Sequence, residues 1–417
     1  MADYTTITEL LQNGADDAPA IGAPGRDALT YAGLRALAEA TVARLNALGV
    51  GRNDRVAIVL PNSPEMASAF VTIGCGATTA PLNPAYREEE FDFYLDDLDA
   101  KALVVEQGSE SPALAVAARR NIPVVTLVAD ESGPAGHFTL EGEGSGSAAA
   151  NGGPAQPDDV ALVLHTSGTT SRPKIVPLTQ RNVTASARHI GASLRLTADD
   201  RCMNIMPLFH IHGLIAAVLS SLAAGASVHC APGFNALRVF NWLDEIEPTW
   251  YTAVPTMHQA ILARAARNPE SLERARKNLR LVRSSSSSLP PQVMKELEET
   301  FDAPVVEAYG MTEAAHQMAC NPLPPAVRKP GSVGIAAGPE VRIMAEDGPA
   351  LLDVGETGEI VIRGPNVTPG YENNPDANAS AFTDGWFRTG DQGVMDDEGY
   401  ISITGRLKEI INRGGEK

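Results

Sequence analysis

An α/β fold with a β-rich C-terminal portion is predicted for this 417-residue chain. Three observations carry that prediction. Short apolar runs alternate with stretches of helical Leu/Ala/Val spacing, the pattern of a sheet flanked by helices. The chain is longer than one hydrophobic core usually absorbs, so two or more subdomains are expected. Beyond Gly331 the texture changes to short β-rich runs separated by Gly and Asp.

Residues 7–11 and 34–48 show helical spacing. Residues 55–60, Arg-Val-Ala-Ile-Val-Leu closed by Pro61, fit a buried strand. Residues 102–105 and 123–128 repeat that pattern around an Ala-rich helix. Residues 132–157, rich in Gly, Ser, Ala and Pro, read as an exposed loop or linker. A strand is expected at 160–164, then alternation to about Tyr309, then strands at 341–344, 359–363 and 400–404. The apolar stretches 70–81 and 213–231 are interrupted by Gly, Ser or Thr and read as buried helices, not membrane spans.

Acidic residues number 51 against 33 basic ones, a formal net charge of −18. Such a field disfavours nucleic acid and anionic membranes as partners. Cys75, Cys202, Cys230 and Cys320 lie far apart, without the pairing of a zinc ribbon or a disulfide framework. Residues 1–5 carry no basic region followed by an apolar run, so no secretory signal is read. A cytoplasmic protein is expected, with a peroxisomal address left open. The end at Gly414-Gly415-Glu416-Lys417 follows a strand-like run, and a longer protein is expected.

Several chemistries lack their motifs. From Gly168, Pro173 stands where a Walker A loop needs its second Gly, and Ile175 follows Lys174. G-x-G-x-x-G after a strand, G-x-S-x-G and H-E-x-x-H are all missing.

Four segments carry chemistry. In the first, a strand enters Thr166-Ser167-Gly168-Thr169-Thr170-Ser171-Arg172-Pro173-Lys174. Its N–H groups, hydroxyls and two cations can surround a polyphosphate, although the same residues also make a flexible surface loop. The second is Glu307-Ala308-Tyr309-Gly310-Met311-Thr312-Glu313. Here a Tyr can stack a base, a Thr can bond a phosphate oxygen and a carboxylate can hold Mg²⁺. In the third, Trp386 to Asp391, an Asp after a tight turn can accept from both ribose hydroxyls. In the fourth, Gly405-Arg406-Leu407-Lys408, Arg406 can serve the same sugar. Each segment alone also reads as a turn, a cap or a solvated charge.

Their order, with Gly358-Glu359-Ile360 and Arg363-Gly364 between the second and third, resembles the adenylate-forming enzymes. That superfamily includes acyl-CoA synthetases, adenylation domains and luciferases. The resemblance spans nearly the whole chain. It implies the large N-terminal domain of these enzymes at residues 1–405. That domain has two α/β subdomains to about 330 and a β-rich, barrel-like one at about 331–405. Residues 406–417 then begin a hinge and a C-terminal domain that carries the adenylation lysine. The implied reaction joins a carboxylic acid to ATP, giving an acyl-adenylate and pyrophosphate, and a thiol such as coenzyme A then displaces AMP.

By similarity, residues 166–174 hold the β- and γ-phosphates and Thr312 touches the α-phosphate. Glu313 binds Mg²⁺, and Tyr309 lies against adenine beside Glu307, Ala308 and Ser286. Asp391 and Arg406 hold the ribose, Lys408 matches the hinge and His210 the aromatic gate of the acyl site. The family's loop commonly has Gly where this chain has Ser171 and Ile175.

The acid is read from residues 283–290, Arg-Ser-Ser-Ser-Ser-Ser-Leu-Pro, where relatives carry Gly and Ala. An apolar run precedes the serines and a Pro-initiated helix follows, so an ordered strand-to-helix turn is expected. Ser286, His212 and His316 can offer donors to the distal carboxylate of a small diacid, which is costly to bury unpaired. His316 can equally face solvent or cap a turn. The wording at 169–174, 177–180, 321–324 and 364–368 resembles the oxalate–CoA ligases of plants and fungi. That resemblance implies oxalate, ATP, Mg²⁺ and coenzyme A as ligands. A CoA ligase for another small, fatty or aryl acid is the alternative. A luciferase-like oxygenase, a peptide-synthetase adenylation domain and a non-catalytic nucleotide-binding protein also remain open.

Overall fold

The computed structural model describes residues 4–143, 147–166 and 173–407. Three sheets organise it. The first has seven strands in the order Phe138–Glu141, Val124–Ala129, Ala102–Glu106, Arg55–Val59, Thr78–Pro81, Val160–Thr166 and Lys174–Thr179. Its five inner strands are parallel and its two edge strands antiparallel. Buried parallel strands read as continuous apolar runs, which is why 55–60 was legible.

The second sheet has nine strands. They run Ile335–Ala336, His316–Cys320, Val305–Met311, Leu281–Ser285, Trp250–Ala253, Arg201–Asn204, Ser227–Cys230, Pro19–Ala23 and Arg26–Thr30. The six from Val305–Met311 to Pro19–Ala23 are parallel. From Arg201–Asn204 the chain crosses to Ser227–Cys230 on one side, then to Trp250–Ala253 on the other. Strand order therefore reverses at Arg201–Asn204, and such a switch point opens a crevice at the strands' carboxyl ends.

The two sheets share one core. Val56, Ala102 and Leu162 of the first belong to the same buried cluster as Cys202, Trp250 and Leu281 of the second. Helix Pro64–Gly74 touches strands of both sheets and is buried along its whole length. Ser63 accepts from Met66 N at its start, and Pro64 occupies its first turn, where a missing N–H costs nothing. The third sheet is antiparallel. It contains Glu340–Met344, Thr357–Arg363, Phe382–Thr383, Trp386–Met395 and Ile401–Arg406.

Four expectations need correction. Residues 132–157 are not all loop: Phe138–Glu141 is an edge strand whose Phe138 and Leu140 are buried in alternation. Gly and Ser on either side mask this two-residue period. The stretches 70–81 and 213–231 are buried, but each ends in a strand, Thr78–Pro81 and Ser227–Cys230. Helix His212–Leu219 is a π-helix, and Ser220–Ala223 continues it as α-helix. Asp391 lies inside strand Trp386–Met395, next to a bulge at Gly390 (φ 75°), and not after a tight turn. Among the described residues, no helix is long and apolar enough to cross a membrane.

Candidate active site

A cavity of 290 Å³ opens at the switch point. Its lining includes Leu164 and His165 near the end of Val160–Thr166, and Phe209, His210 and His212 beyond Arg201–Asn204. Val254, Ser286 and Thr312 follow the ends of the next three strands. The fold thus brings His210, His212, Ser286 and Thr312, all singled out from sequence, to one wall. A larger cavity of 440 Å³ near Leu11, Val42 and Pro154 contains none of the predicted site residues.

The floor is rich in donors. His212 Nδ1 lies 3.0 Å from Ser286 Oγ, and its Nε2 lies 2.6 Å from Thr252 Oγ1. The His316 ring meets that of His212 edge-on at 5.0 Å. Burial first, then the Arg283 charge, pushes both imidazoles well below the usual histidine range, so both are neutral. His316 is buried, and its Nδ1 has no hydrogen-bond partner among the described residues.

Two backbone strains mark this wall. Ser286 has φ 71° and His316 has φ 99°, a region that residues with a Cβ rarely occupy. Gly310 permits the second: a Cβ there would lie 1.9 Å from His316 O.

Sequence reasoning missed Arg283 as a site residue. It is fully buried beside His212, and among the described residues no carboxylate pairs with it. Burial pulls its guanidinium down only to about 10, so it stays charged at neutral pH. Nη1 reaches Thr252 Oγ1 at 3.3 Å, and Nη2 reaches Gln317 Oε1 at 3.2 Å. No local signal marks it: the strand reads Leu-Val-Arg-Ser-Ser, and Arg and Ser suit an exposed segment as well as a buried one.

A second cluster joins the second and third sheets. Tyr309 donates to Asp391 Oδ2, and Arg406 Nε lies 3.0 Å from Asp391 Oδ1. Glu313 is buried, and its Oε1 accepts from Tyr371 at 2.8 Å. Lys174 Nζ sits 4.4 Å from the Tyr371 ring centre. Burial raises the Glu313 carboxyl, while Tyr371 and Lys174 act in the opposite sense. Tyr371 also escaped the sequence reading.

Thr166 and Lys174 are register partners, so the two ends of the segment 166–174 meet. Ser167, Gly168, Thr169, Thr170, Ser171 and Arg172, with Lys408, lie outside the described residues. The Ile175 side chain belongs to a core cluster with Ala57, Val59 and Val163. Glu307 and Ala308 are buried, and neither is among the residues that line the cavity. Glu307 Oε1 accepts from Leu289 N at 2.9 Å, and Ala308 O accepts from Ser285 Oγ at 2.8 Å.

A crevice at a switch point, walled by donors and flanked by buried carboxylates, suits a ligand with anionic and hydroxyl groups. Residues 11–372 match the AMP-binding enzyme family, and the chain belongs to it. The oxalate–CoA ligase of Arabidopsis thaliana is 46% identical over 423 residues, covering 100% of this chain and 82% of that protein. The probable CoA ligase CCL9 of Humulus lupulus is 46% identical over 432 residues, covering 100% and 80%. The crystal structure of ATP-bound MatB from Rhodopseudomonas palustris superposes with a TM-score of 0.84 at 30% identity. It covers 99% of this chain and 81% of that one.

Proposed function

We propose that this chain is an AMP-forming acid–CoA ligase that activates oxalate to oxalyl-CoA. One observation carries the acid: a buried guanidinium, with no carboxylate partner among the described residues, stands behind a small pocket floored by hydroxyl and imidazole groups. A fatty or aryl tail placed there would leave these polar groups unmatched. A second carboxylate would satisfy them. The relatives in the oxalate–CoA ligase group support the same reading.

In this reading residues 1–405 carry the ATP and acid sites, and 406–417 begin the hinge. The carboxylate oxygen of the acid attacks the α-phosphorus of ATP, the bond to the β-phosphate breaks, and pyrophosphate leaves. The thiol sulfur of coenzyme A then attacks the acyl carbon and releases AMP. The obstacle to the first step is the approach of two anions. Thr312 is placed at the α-phosphate, with Thr166 and Lys174 at the outer phosphates. Both Asp391 oxygens are engaged, yet each keeps a lone pair for a ribose hydroxyl. Tyr309 braces Asp391 against the adenine side, and His210 stands at the mouth of the acid pocket. Glu313 offers a carboxylate oxygen, the donor Mg²⁺ prefers. When bound, that ion neutralises charge between phosphate and carboxylate.

The test is pyrophosphate release by the full-length protein with ATP, Mg²⁺ and CoA. The acids are oxalate, malonate, hexanoate and coumarate. Release with oxalate well above the others is expected. Release mainly with hexanoate or coumarate would discard the oxalate pocket and keep the ligase. No release with any acid would favour a nucleotide-binding protein without turnover.

A further inference from the structure

Four side chains beside the crevice, Arg283, Thr252, His212 and Ser286, form a hydrogen-bond chain with a definite direction. Arg283 Nη1 lies 3.3 Å from Thr252 Oγ1 and 3.5 Å from His212 Nε2. A guanidinium only donates, so both atoms accept from it. The Thr252 hydroxyl uses a lone pair for Arg283 and gives its own proton to His212 Nε2, 2.6 Å away. Nε2 therefore carries no hydrogen. The neutral ring keeps its one proton on Nδ1. From there it is donated to Ser286 Oγ at 3.0 Å. The Ser286 proton is left for another acceptor, and Ser286 is exposed on the cavity wall.

Arg283 is itself held in place. Nη2 donates to Gln317 Oε1, and Gln317 Nε2 donates to Ser193 Oγ at 3.0 Å and Ala337 O at 3.2 Å. The planar fork leaves the guanidinium little freedom to turn.

We infer that Arg283 and Thr252 are positioning residues that lock His212 in its Nδ1–H tautomer and so aim the Ser286 hydroxyl proton at the distal carboxylate of the acid. This rests on the acid-pocket reading above. The opposite tautomer would take the Ser286 proton at Nδ1 and turn the serine lone pairs toward the anion. Selection for an anion over an apolar tail is then decided one residue away from the contact.

The test combines ¹⁵N NMR of the histidine-labelled, unliganded full-length protein with kinetics of Thr252→Val and Thr252→Ser. The wild-type His212 ring is expected as Nδ1–H, and Thr252→Val as a mixture of tautomers. Thr252→Val raises KM for the acid about tenfold, the loss of one hydrogen bond to a charged group. KM for ATP stays within about twofold. Thr252→Ser restores both the tautomer and the KM. Arg283→Lys, which keeps the charge without the fork, raises the acid KM in the same direction. An Nε2–H ring in the wild type overturns the inference. So does an unchanged acid KM in Thr252→Val, or a rise shared equally by acid and ATP. The NMR readout needs no acid, so rejection of oxalate in the panel and rejection of the tautomer are separate results.

Discussion

Arg283 and Asp391 are both buried charges near one crevice, and they are treated in opposite ways. Asp391 lies between the Tyr309 hydroxyl and the Arg406 guanidinium, so its charge is matched within the protein. Among the described residues, Arg283 meets only neutral partners, Thr252, His212 and Gln317. Burying an unmatched ion costs several kcal/mol. A site that keeps one is prepared for a ligand of opposite sign. A site that matches its own ion is prepared for neutral hydroxyls.

The largest expected effect breaks the first half of that comparison. Arg283→Met should raise the acid KM about a hundredfold, as loss of a buried charge partner does. It should not lower Tm, because an unmatched buried ion is removed. Thermal melts beside the kinetics check both, and a large loss of Tm would make Arg283 a structural residue. Glu313→Gln should lower Mg²⁺-dependent adenylation on the order of a hundredfold with the fold intact. Unchanged pyrophosphate exchange would remove Glu313 from the site.

His316→Ala should raise the acid KM about tenfold and leave that for ATP alone. Equal effects on both would place His316 outside the acid pocket. Lys174→Ala should weaken ATP binding more than AMP binding, whereas Asp391→Asn should weaken both alike. Calorimetry with each nucleotide distinguishes the two, and a reversed order would contradict the phosphate-loop assignment.

The smallest effect concerns stability. Burial pushes the Glu307 carboxyl from 4.5 up to about 7. Between those values the unfolded chain has released the proton that the folded chain keeps, so stability falls as pH rises through the window. Glu307→Gln should therefore raise Tm by a few degrees at pH 8 and hardly at all at pH 4. Buried His258 and half-buried His189 and His229, each lowered to about 4 chiefly by desolvation, act oppositely. Their contribution is complete above 6.5 and is lost as pH falls toward 4. Melts across pH 4–8 resolve the two senses.

Much of the fold was legible because buried parallel strands are continuous apolar runs, as at Arg55–Val59 and Ala102–Glu106. The hairpin Pro19–Ala23 and Arg26–Thr30 was not, since Pro, Gly and Arg dilute the strand pattern there. The Ser run was read as a turn, yet Ser284 and Ser285 complete strand Leu281–Ser285 and only Ser286 turns into the cavity. Arg283 was seen only as the start of that run. Nothing in local periodicity separates a buried arginine from an exposed one.

The sequence by itself determined the order of the chemical segments, the alternation that builds parallel sheets and the residue types needed around a phosphate. These are local properties, set by side-chain period and by the few residues that suit a given turn or charge. Only the tertiary structure decided that Arg283 stands behind His212, that Tyr371 reaches Glu313 and that Tyr309 meets Asp391. These partners are 71, 58 and 82 residues apart. Their meeting depends on which strand ends share the crevice, and that follows from sheet order and packing across the whole core.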